Sequence, residues 1–156
     1  MDLNVILLVI LFFALGYLGV YYADIFLTPK TKQSTENQIC FNSTCFTVEL
    51  AKTTAEQEKG LMNRTELQKD KGMLFIFNNE GLYQFWMKNT LIPLDMIWMD
   101  GNNKIVFMAQ NVQPCKTMIC PNINPLVNAK YVLEINAGVA AENGIKAGDI
   151  ATIKIK

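Results

Sequence analysis

The hydrophobic positions of this chain fall into one long N-terminal run and a series of short runs separated by turn residues. Residues 3–23 contain no charged side chain, and most of them are Leu, Ile, Val, Phe or Tyr. As a helix that rises ~1.5 Å per residue, this run is long enough to cross a hydrocarbon core about 30 Å thick. The pattern therefore predicts a transmembrane helix within an N-terminal anchor, residues 1–27.

A cleaved signal peptide is the competing interpretation of the same run. The first residues include no Lys or Arg, and Tyr21 and Tyr22 stand where a cleavage site requires small residues. We therefore favour a retained anchor, with the membrane as a partner of residues 3–27. Residues 28–38 are polar and lack a core pattern, which predicts a linker.

Residues 39–156 have the short apolar runs and turn signals of one β-rich domain. Thr53 and Glu56 have capping-box spacing and predict a short helix that ends near Gly60, and a second short helix or turn falls within 137–145. Turns are predicted at 78–81 and 101–103, each joining a hairpin. Strands are predicted at 46–50, 72–77, 82–87, 95–100, 104–109, 131–136 and 150–155. The fold class is thus α+β, mainly β, with about seven strands arranged as a small barrel or as packed sheets.

Composition matters here mainly for what it excludes. The chain has no His, and its 14 Lys and Arg balance 14 Asp and Glu. Without histidine there is no Ser-His-Asp or Cys-His machinery and no His-ligated metal site. Zero net charge argues against nucleic acid as a partner. No cofactor and no metal site are predicted.

The cysteines bear on the compartment. Four thiols in a small domain behind a membrane signal suggest disulfides and an oxidising environment, although three pairings are open. Lys30 and Lys32 oppose this, because the positive-inside rule by itself keeps the domain in the cytoplasm. We favour the extracytoplasmic side, and the disulfide candidates are two equally spaced pairs, Cys40 with Cys45 and Cys115 with Cys120.

Six motifs follow one another through the domain: GLMNR at 60–64, GMLFIF at 72–77, FWMKNTLIPLD at 85–95, PC at 114–115, YVLE at 131–134 and GD at 148–149. In this order they resemble the DUF192 family, also called UPF0127, over most of residues 46–155. The first cysteine pair precedes that region. The resemblance implies a compact β-rich domain, often exported or membrane-anchored, with no established biochemical activity.

Aromatic and polar residues gather at residues 86–98 and form the candidate binding surface. Tryptophan combines an apolar face with one N–H donor, and beside amide and charged groups it suits a sugar ring or a peptide. A structural role is also open, in which Asp95 caps the backbone or pairs with Lys88 or Arg64. The guanidinium of Arg64 fits a carboxylate of the chain or of a ligand. The candidate residues are Arg64, Trp86, Lys88, Asn89, Thr90, Asp95 and Trp98.

Three functional hypotheses follow from these residues. The favoured one is a membrane-tethered extracytoplasmic binding or accessory module for a glycan, an envelope polymer or a partner protein. The second is a hydrolase in which Asp95 is the general base and Lys88 or Arg64 stabilises an oxyanion. The third is a soft-metal carrier, since eight methionines could bind Cu(I) and the cysteine spacing is within the loosest range for zinc. Core packing accounts for the methionines as well.

Overall fold

The computed structural model describes residues 36–156, so the predicted anchor, residues 1–27, lies outside the described residues. The described part of the chain contains seven strands and two short helices, which confirms the predicted mainly β domain. No helix within 36–156 has the length and apolar character needed to cross a membrane.

All seven strands belong to one sheet, with the order β5-β4-β6-β3-β2-β1-β7. Only β2 and β3 are parallel, and the other neighbours are antiparallel. Of the two predicted arrangements, packed sheets are therefore not what residues 36–156 form. The strands are β1 (Gln38–Phe41), β2 (Thr44–Ala51), β3 (Lys71–Gly81), β4 (Leu94–Met99), β5 (Ile105–Val112), β6 (Ala129–Asn136) and β7 (Ala151–Lys154), and the helices are α1 (Thr54–Lys59) and α2 (Val139–Glu142).

The two outer strands of the sheet meet at one end. The N–H of Ile105 donates to the carbonyl of Asp149 at 2.8 Å, and the N–H of Gly148 donates to the carbonyl of Ile105 at 2.9 Å. Lys104 and Ile150 add an isolated β-bridge. Because Ile105 begins β5 and Ile150 precedes β7, the sheet curls into a half-barrel and part of each open edge is covered.

Two apolar clusters pack against the two faces of this curled sheet. Successive residues of β3 alternate between them, since Leu74 belongs to the first cluster and Met73 and Phe75 belong to the second. The second cluster also contains Leu61 and Trp98. It therefore lies beneath the chain that follows α1 and beneath the segment between β3 and β4, where most of the candidate site residues are found.

Helix α1 has the capping box that the sequence predicted. The Thr53 hydroxyl accepts the N–H of Glu56 at 3.3 Å, and the Glu56 carboxylate accepts the N–H of Thr53 at 2.8 Å. Hydrogen bonds from the Thr53 and Lys52 backbone lower the pKa of Glu56. Gly60 follows the helix with a φ of +45°, a left-handed value that favours glycine.

The second predicted hairpin is confirmed, since β4 and β5 pair as antiparallel strands around residues 101–103. The first is wrong. Residues 78–81 continue β3, and Gly81 pairs with Ala129 of β6. Residues 82–87 then form no strand and make a single bridge, from Phe85 to Ile123. The partner of this stretch of β3 comes from distant sequence, so the local turn signal is overridden.

Strand β1 is absent from the sequence-based assignment, which placed Gln38 in the linker. The strand is short, and Asn42 at its end has a φ of +50° that turns the chain into β2. Cys40 and Cys45 face each other in this hairpin and are joined by a disulfide.

Candidate functional site

The predicted site residues divide between the surface and the core. Trp86 is 44% exposed, and Lys88 and Asn89 are exposed as well. Thr90 is 6% exposed, whereas Asp95 and Trp98 are completely buried. The segment 86–98 thus descends from the surface into the second apolar cluster, and the structure does not bring all seven residues together on one face.

Asp95 has the structural role that was left open for it. One carboxylate oxygen accepts the N–H of Asn111 at 2.8 Å, and the other accepts the N–H of Ala140 at 3.0 Å. Each oxygen thus accepts a hydrogen bond from a backbone N–H group, and these two bonds fix β5 and α2 to β4. Because Asp95 is also completely buried, a substrate cannot reach its carboxylate, so the arrangement gives no support to a general base at Asp95.

Trp98 supports the site from below instead of lining it. Its indole N–H donates to the backbone carbonyl of Tyr83 at 2.9 Å. Its ring packs edge-on against Phe85, with centroids 5.4 Å apart, and against Phe107 at 5.3 Å. The irregular segment after β3 is therefore fixed to the core through one buried side chain.

Arg64 pairs with a carboxylate of the chain, but the partner is Glu49 and not Asp95. The two guanidinium nitrogens donate to the two carboxylate oxygens at 2.5 and 2.6 Å. This bidentate bond lowers the pKa of Glu49 and raises that of Arg64. The pair lies beside a shallow depression of about 360 Å³. Because the guanidinium is already bound to Glu49, it is not available to a ligand in this depression.

A cleft of about 250 Å³ lies between α1 and the segment after β3, and we call it the aromatic cleft. Five of its nine lining residues are aromatic, and the other four are polar. Such a mixture of ring faces and a few hydrogen-bonding groups is typical of small-ligand sites. The lining residues are Thr54, Gln57, Glu58, Phe75, Phe77, Tyr83, Gln84, Phe85 and Trp86.

The rings of the aromatic cleft are held in place by one another. Tyr83 stacks on Phe77, with centroids 3.5 Å apart and planes 9° apart. Phe85 meets Phe75 edge-on at 4.8 Å. The Lys88 ammonium lies 5.2 Å from the centroid of the Trp86 ring, within the range of a cation–π contact.

The polar groups of the cleft differ in whether they are already hydrogen-bonded within the chain or are available to a ligand. The side-chain amide of Gln57 donates to the carbonyls of Ala51 at 3.3 Å and Ile76 at 2.9 Å, so it is fixed in place. The side-chain oxygen of Gln84 accepts from Asn122 at 3.0 Å. Within residues 36–156 the exposed carboxylate of Glu58 has neither a hydrogen bond nor an ion pair, so it is available to a ligand.

Sequence reasoning missed two parts of this region. Tyr83 and Phe85 were assigned to a strand, although the spacing of aromatic residues at 83, 85 and 86 was the available signal. Glu134 was not selected at all. It lies in β6 among apolar residues and is 5% exposed, and burial raises its pKa to about 8, against a smaller lowering by Arg64. A single carboxylate inside an apolar strand was the signal.

All four candidate cysteines form disulfides, as predicted, and of the three open pairings the structure has Cys40 with Cys45 and Cys115 with Cys120. No thiolate is therefore left for the zinc alternative. Within the described residues, no group of three or more Cys, Asp or Glu side chains is placed to hold a metal ion.

The fold and the site define a small, mainly β domain with a curled seven-stranded sheet, two disulfides and an aromatic cleft. The family model DUF192, described as an uncharacterised ACR, matches residues 37–153. The chain belongs to the DUF192 family, as its motifs predicted. Because the match begins at residue 37, the first cysteine pair lies inside the family region, earlier than the limit of 46 set from the motifs.

Two solved structures are similar to this domain, each with a TM-score of 0.68. A protein of unknown function from Novosphingobium aromaticivorans is 39% identical, over 74% of this chain and 83% of that one. A protein from Sinorhizobium meliloti, named a "putative transcription regulator", is 33% identical, over 75% of this chain and 91% of that one. No curated protein matches the chain.

Proposed function

We propose that this protein is a membrane-tethered binding module that holds a sugar ring of a glycan or envelope polymer in the aromatic cleft. The observation that supports the proposal best is the cleft itself, which is lined by both the exposed Trp86 ring and the unpaired carboxylate of Glu58. A sugar has an apolar C–H face that packs on an aromatic ring and hydroxyls that need hydrogen-bond partners at its edge.

The size of the cleft favours one ring over a larger ligand. Its volume of about 250 Å³ falls below the roughly 300–1,000 Å³ of pockets that enclose drug-sized molecules. The cleft is open on its solvent side, at Trp86 and Gln84, so the rest of a polymer can continue outside it. A polymer bound through one ring at a time gives weak single-site affinity, which a tethered module can use through repeated contacts.

The location we infer is the extracytoplasmic side of a membrane. The uncharged residues 3–23 support the tether, and the two disulfides support an oxidising compartment. An envelope polymer is accessible to a protein placed in this way.

The experiment is a binding measurement on the full-length chain. A glycan array is followed by calorimetric titration with chitotetraose, cellotetraose and maltotetraose. We expect one of them to bind in the micromolar to millimolar range, and Trp86→Ala to weaken that binding at least about 10-fold, which equals about 1.4 kcal/mol.

Ile150→Ala is the matched control, because Ile150 is also a large exposed apolar residue, 67% exposed, and does not line the cleft. It should bind like the wild-type chain. The proposal is overturned if no glycan binds above background, if Trp86→Ala binds normally, or if a peptide array gives the only Trp86-dependent signal.

A further inference from the structure

Glu134 is a buried acid whose Oε2 atom has no hydrogen-bond partner among the described residues. That atom is also inaccessible to solvent. Its direct neighbours across the sheet are apolar, Met73 on β3 and Met96 on β4. Burying a polar group without a partner costs free energy, and an apolar residue of similar size would not incur that cost. The fold therefore gives no reason for a carboxyl group at this position.

The position of Glu134 connects it to the aromatic cleft. A methyl group placed on Gly60 would lie 3.8 Å from Glu134 Oε2 and 3.3 Å from Cζ of Phe75. That Phe75 ring lines the cleft, and Gly60 directly follows α1, which supplies the cleft's polar wall. A short path past Gly60 and the edge of the Phe75 ring therefore leads from the lining of the cleft to the carboxyl group, which does not itself line the cleft.

Gly60 keeps this short path free of side-chain atoms. Its φ of +45° is strained for any residue with a Cβ, so the backbone conformation itself favours glycine here. Phe75 is the remaining cover, and an aromatic ring can turn about its side-chain bonds without moving the backbone. Phe75 is 1% exposed and packs edge-on against Phe85, so a ligand in the cleft reaches the carboxyl group only if this ring edge moves aside.

We propose that Glu134 is the ligand-contacting group at the deep end of the aromatic cleft, where its carboxyl group accepts hydrogen bonds from hydroxyls of the bound sugar. This inference rests on the proposed function, because the sugar must first be held by the cleft. The inference also specifies the substrate class. The bound sugar ring must have free hydroxyl groups on the edge that points into the cleft, away from Trp86.

The charged surroundings of Glu134 make the contact measurable through pH. The charged residue that acts on Glu134 is Arg64, from the loop after α1, and Arg64 is itself held by Glu49 on β2. Burial raises the pKa of Glu134 to about 8, so the group ionises in an accessible range. Hydroxyl donors stabilise the ionised form, and a ligand that supplies them binds more tightly as pH rises through that range.

The test compares the full-length wild-type chain with Glu134→Gln, Glu134→Leu and Trp86→Ala. The probe is whichever of chitotetraose, cellotetraose and maltotetraose binds the wild-type chain, titrated at pH 6, 7, 8 and 9. We expect the wild-type affinity to rise several-fold between pH 7 and pH 9. Glu134→Gln should show no such rise, and Glu134→Leu should bind at least about 10-fold more weakly while its melting temperature increases.

The variants separate the two proposals. Loss of binding in Trp86→Ala together with wild-type affinity and pH dependence in both Glu134 variants overturns the contact and leaves the cleft as the binding site. Binding that ignores Trp86, or no binding by the wild-type chain, overturns both. Glu58 and Tyr83, the other ionisable groups of the cleft, are unchanged in Glu134→Gln, so its profile isolates Glu134 even if Glu134→Leu fails to fold.

Discussion

Two buried carboxyl groups show how differently the fold treats single residues of the same chemistry. Asp95 gives both oxygens to backbone donors, and Glu134 on the neighbouring strand has no side-chain hydrogen bond within residues 36–156. The hydrogen bonds of Asp95 link β4 to β5 and α2, so they have a structural role. Burial of the Glu134 carboxyl group without a hydrogen bond raises the free energy of the folded state, and no contact within the fold accounts for it.

The burial of Glu134 predicts an unusual dependence of stability on pH. Its native pKa of about 8 lies above the ordinary value of 4.5, so the native state retains a proton that the unfolded chain loses between these values. The free energy of unfolding therefore falls as pH rises from about 4.5 to about 8, by on the order of 5 kcal/mol from this group. Urea denaturation at each pH measures it.

Glu134→Gln is the control for this dependence, because the amide does not ionise and nearly keeps the shape of the acid. The difference in stability between wild-type chain and variant should change steadily over this pH window and be constant above it. A difference that stays the same from pH 5 to pH 8 would contradict a protonated native Glu134.

Sequence reasoning recognised the residue types of the site better than their burial. Trp86 and Trp98 look alike in sequence, each beside a methionine, yet one is exposed and the other belongs to a strand in which all six residues are buried. The continuous apolar run around Trp98 indicates that Trp98 is buried, because a strand buried on both faces does not alternate apolar and polar residues. Glu134 was not among the candidate residues, because a charged residue within a strand is usually exposed to solvent.

At the scale of secondary-structure elements, local signals predicted two features correctly and failed where pairing with a distant strand overrides them. The capping box of α1 and the turn between β4 and β5 depend on residues within four positions of each other, and both were predicted. The extension of β3 depends on β6, far along the chain, and no local signal reports it. A turn-like composition at residues 78–81 therefore gave the wrong hairpin.

The two disulfides close loops of equal length in different surroundings, and we expect different effects on stability. Cys40–Cys45 joins paired strands of the sheet, whereas Cys115–Cys120 lies in a stretch of chain with no strand. Replacing the first pair with serines should lower the free energy of unfolding by about 2 kcal/mol, as loop entropy predicts. The second pair should matter less, because its loop can open without unfolding the sheet.

Chemical denaturation of the two double-serine variants, beside the oxidised wild-type chain, measures both effects. Equal losses would mean that the loop at residues 115–120 unfolds together with the sheet. A larger loss for the second pair would contradict the assignment of that loop as an independent unit.

The order of the strands in the whole molecule could not be predicted from the sequence. The mainly β class follows from the short apolar runs, whereas the predicted number of seven strands agrees only because the false strand at 82–87 offsets the missed β1. The placement of β6 between β4 and β3, and the contact between the ends of β5 and β7, depend on which surfaces fit together. Sequence patterns specify a buried face but not the surface that packs against it, so they do not distinguish a barrel from packed sheets.

At the scale of the whole chain, the prediction concerns the side of the membrane on which the domain lies. We expect protein taken from its native membrane to react with a thiol reagent at four cysteines after reduction and at none before it. A variant without residues 1–27 should leave the membrane fraction. Free thiols before reduction would place the domain in the cytoplasm, in agreement with Lys30 and Lys32, and would overturn the proposed location.

The hydrogen bond from Trp98 to the Tyr83 carbonyl has a practical consequence. The chain has two tryptophans, one sealed in the core beneath the cleft and one at its mouth. Their fluorescence should differ in colour, because emission from a hydrated indole is shifted to longer wavelength. A ligand that covers Trp86 changes one component and leaves the other as an internal reference. The ratio of the two emission components should therefore report binding of the proposed ligand without an added label.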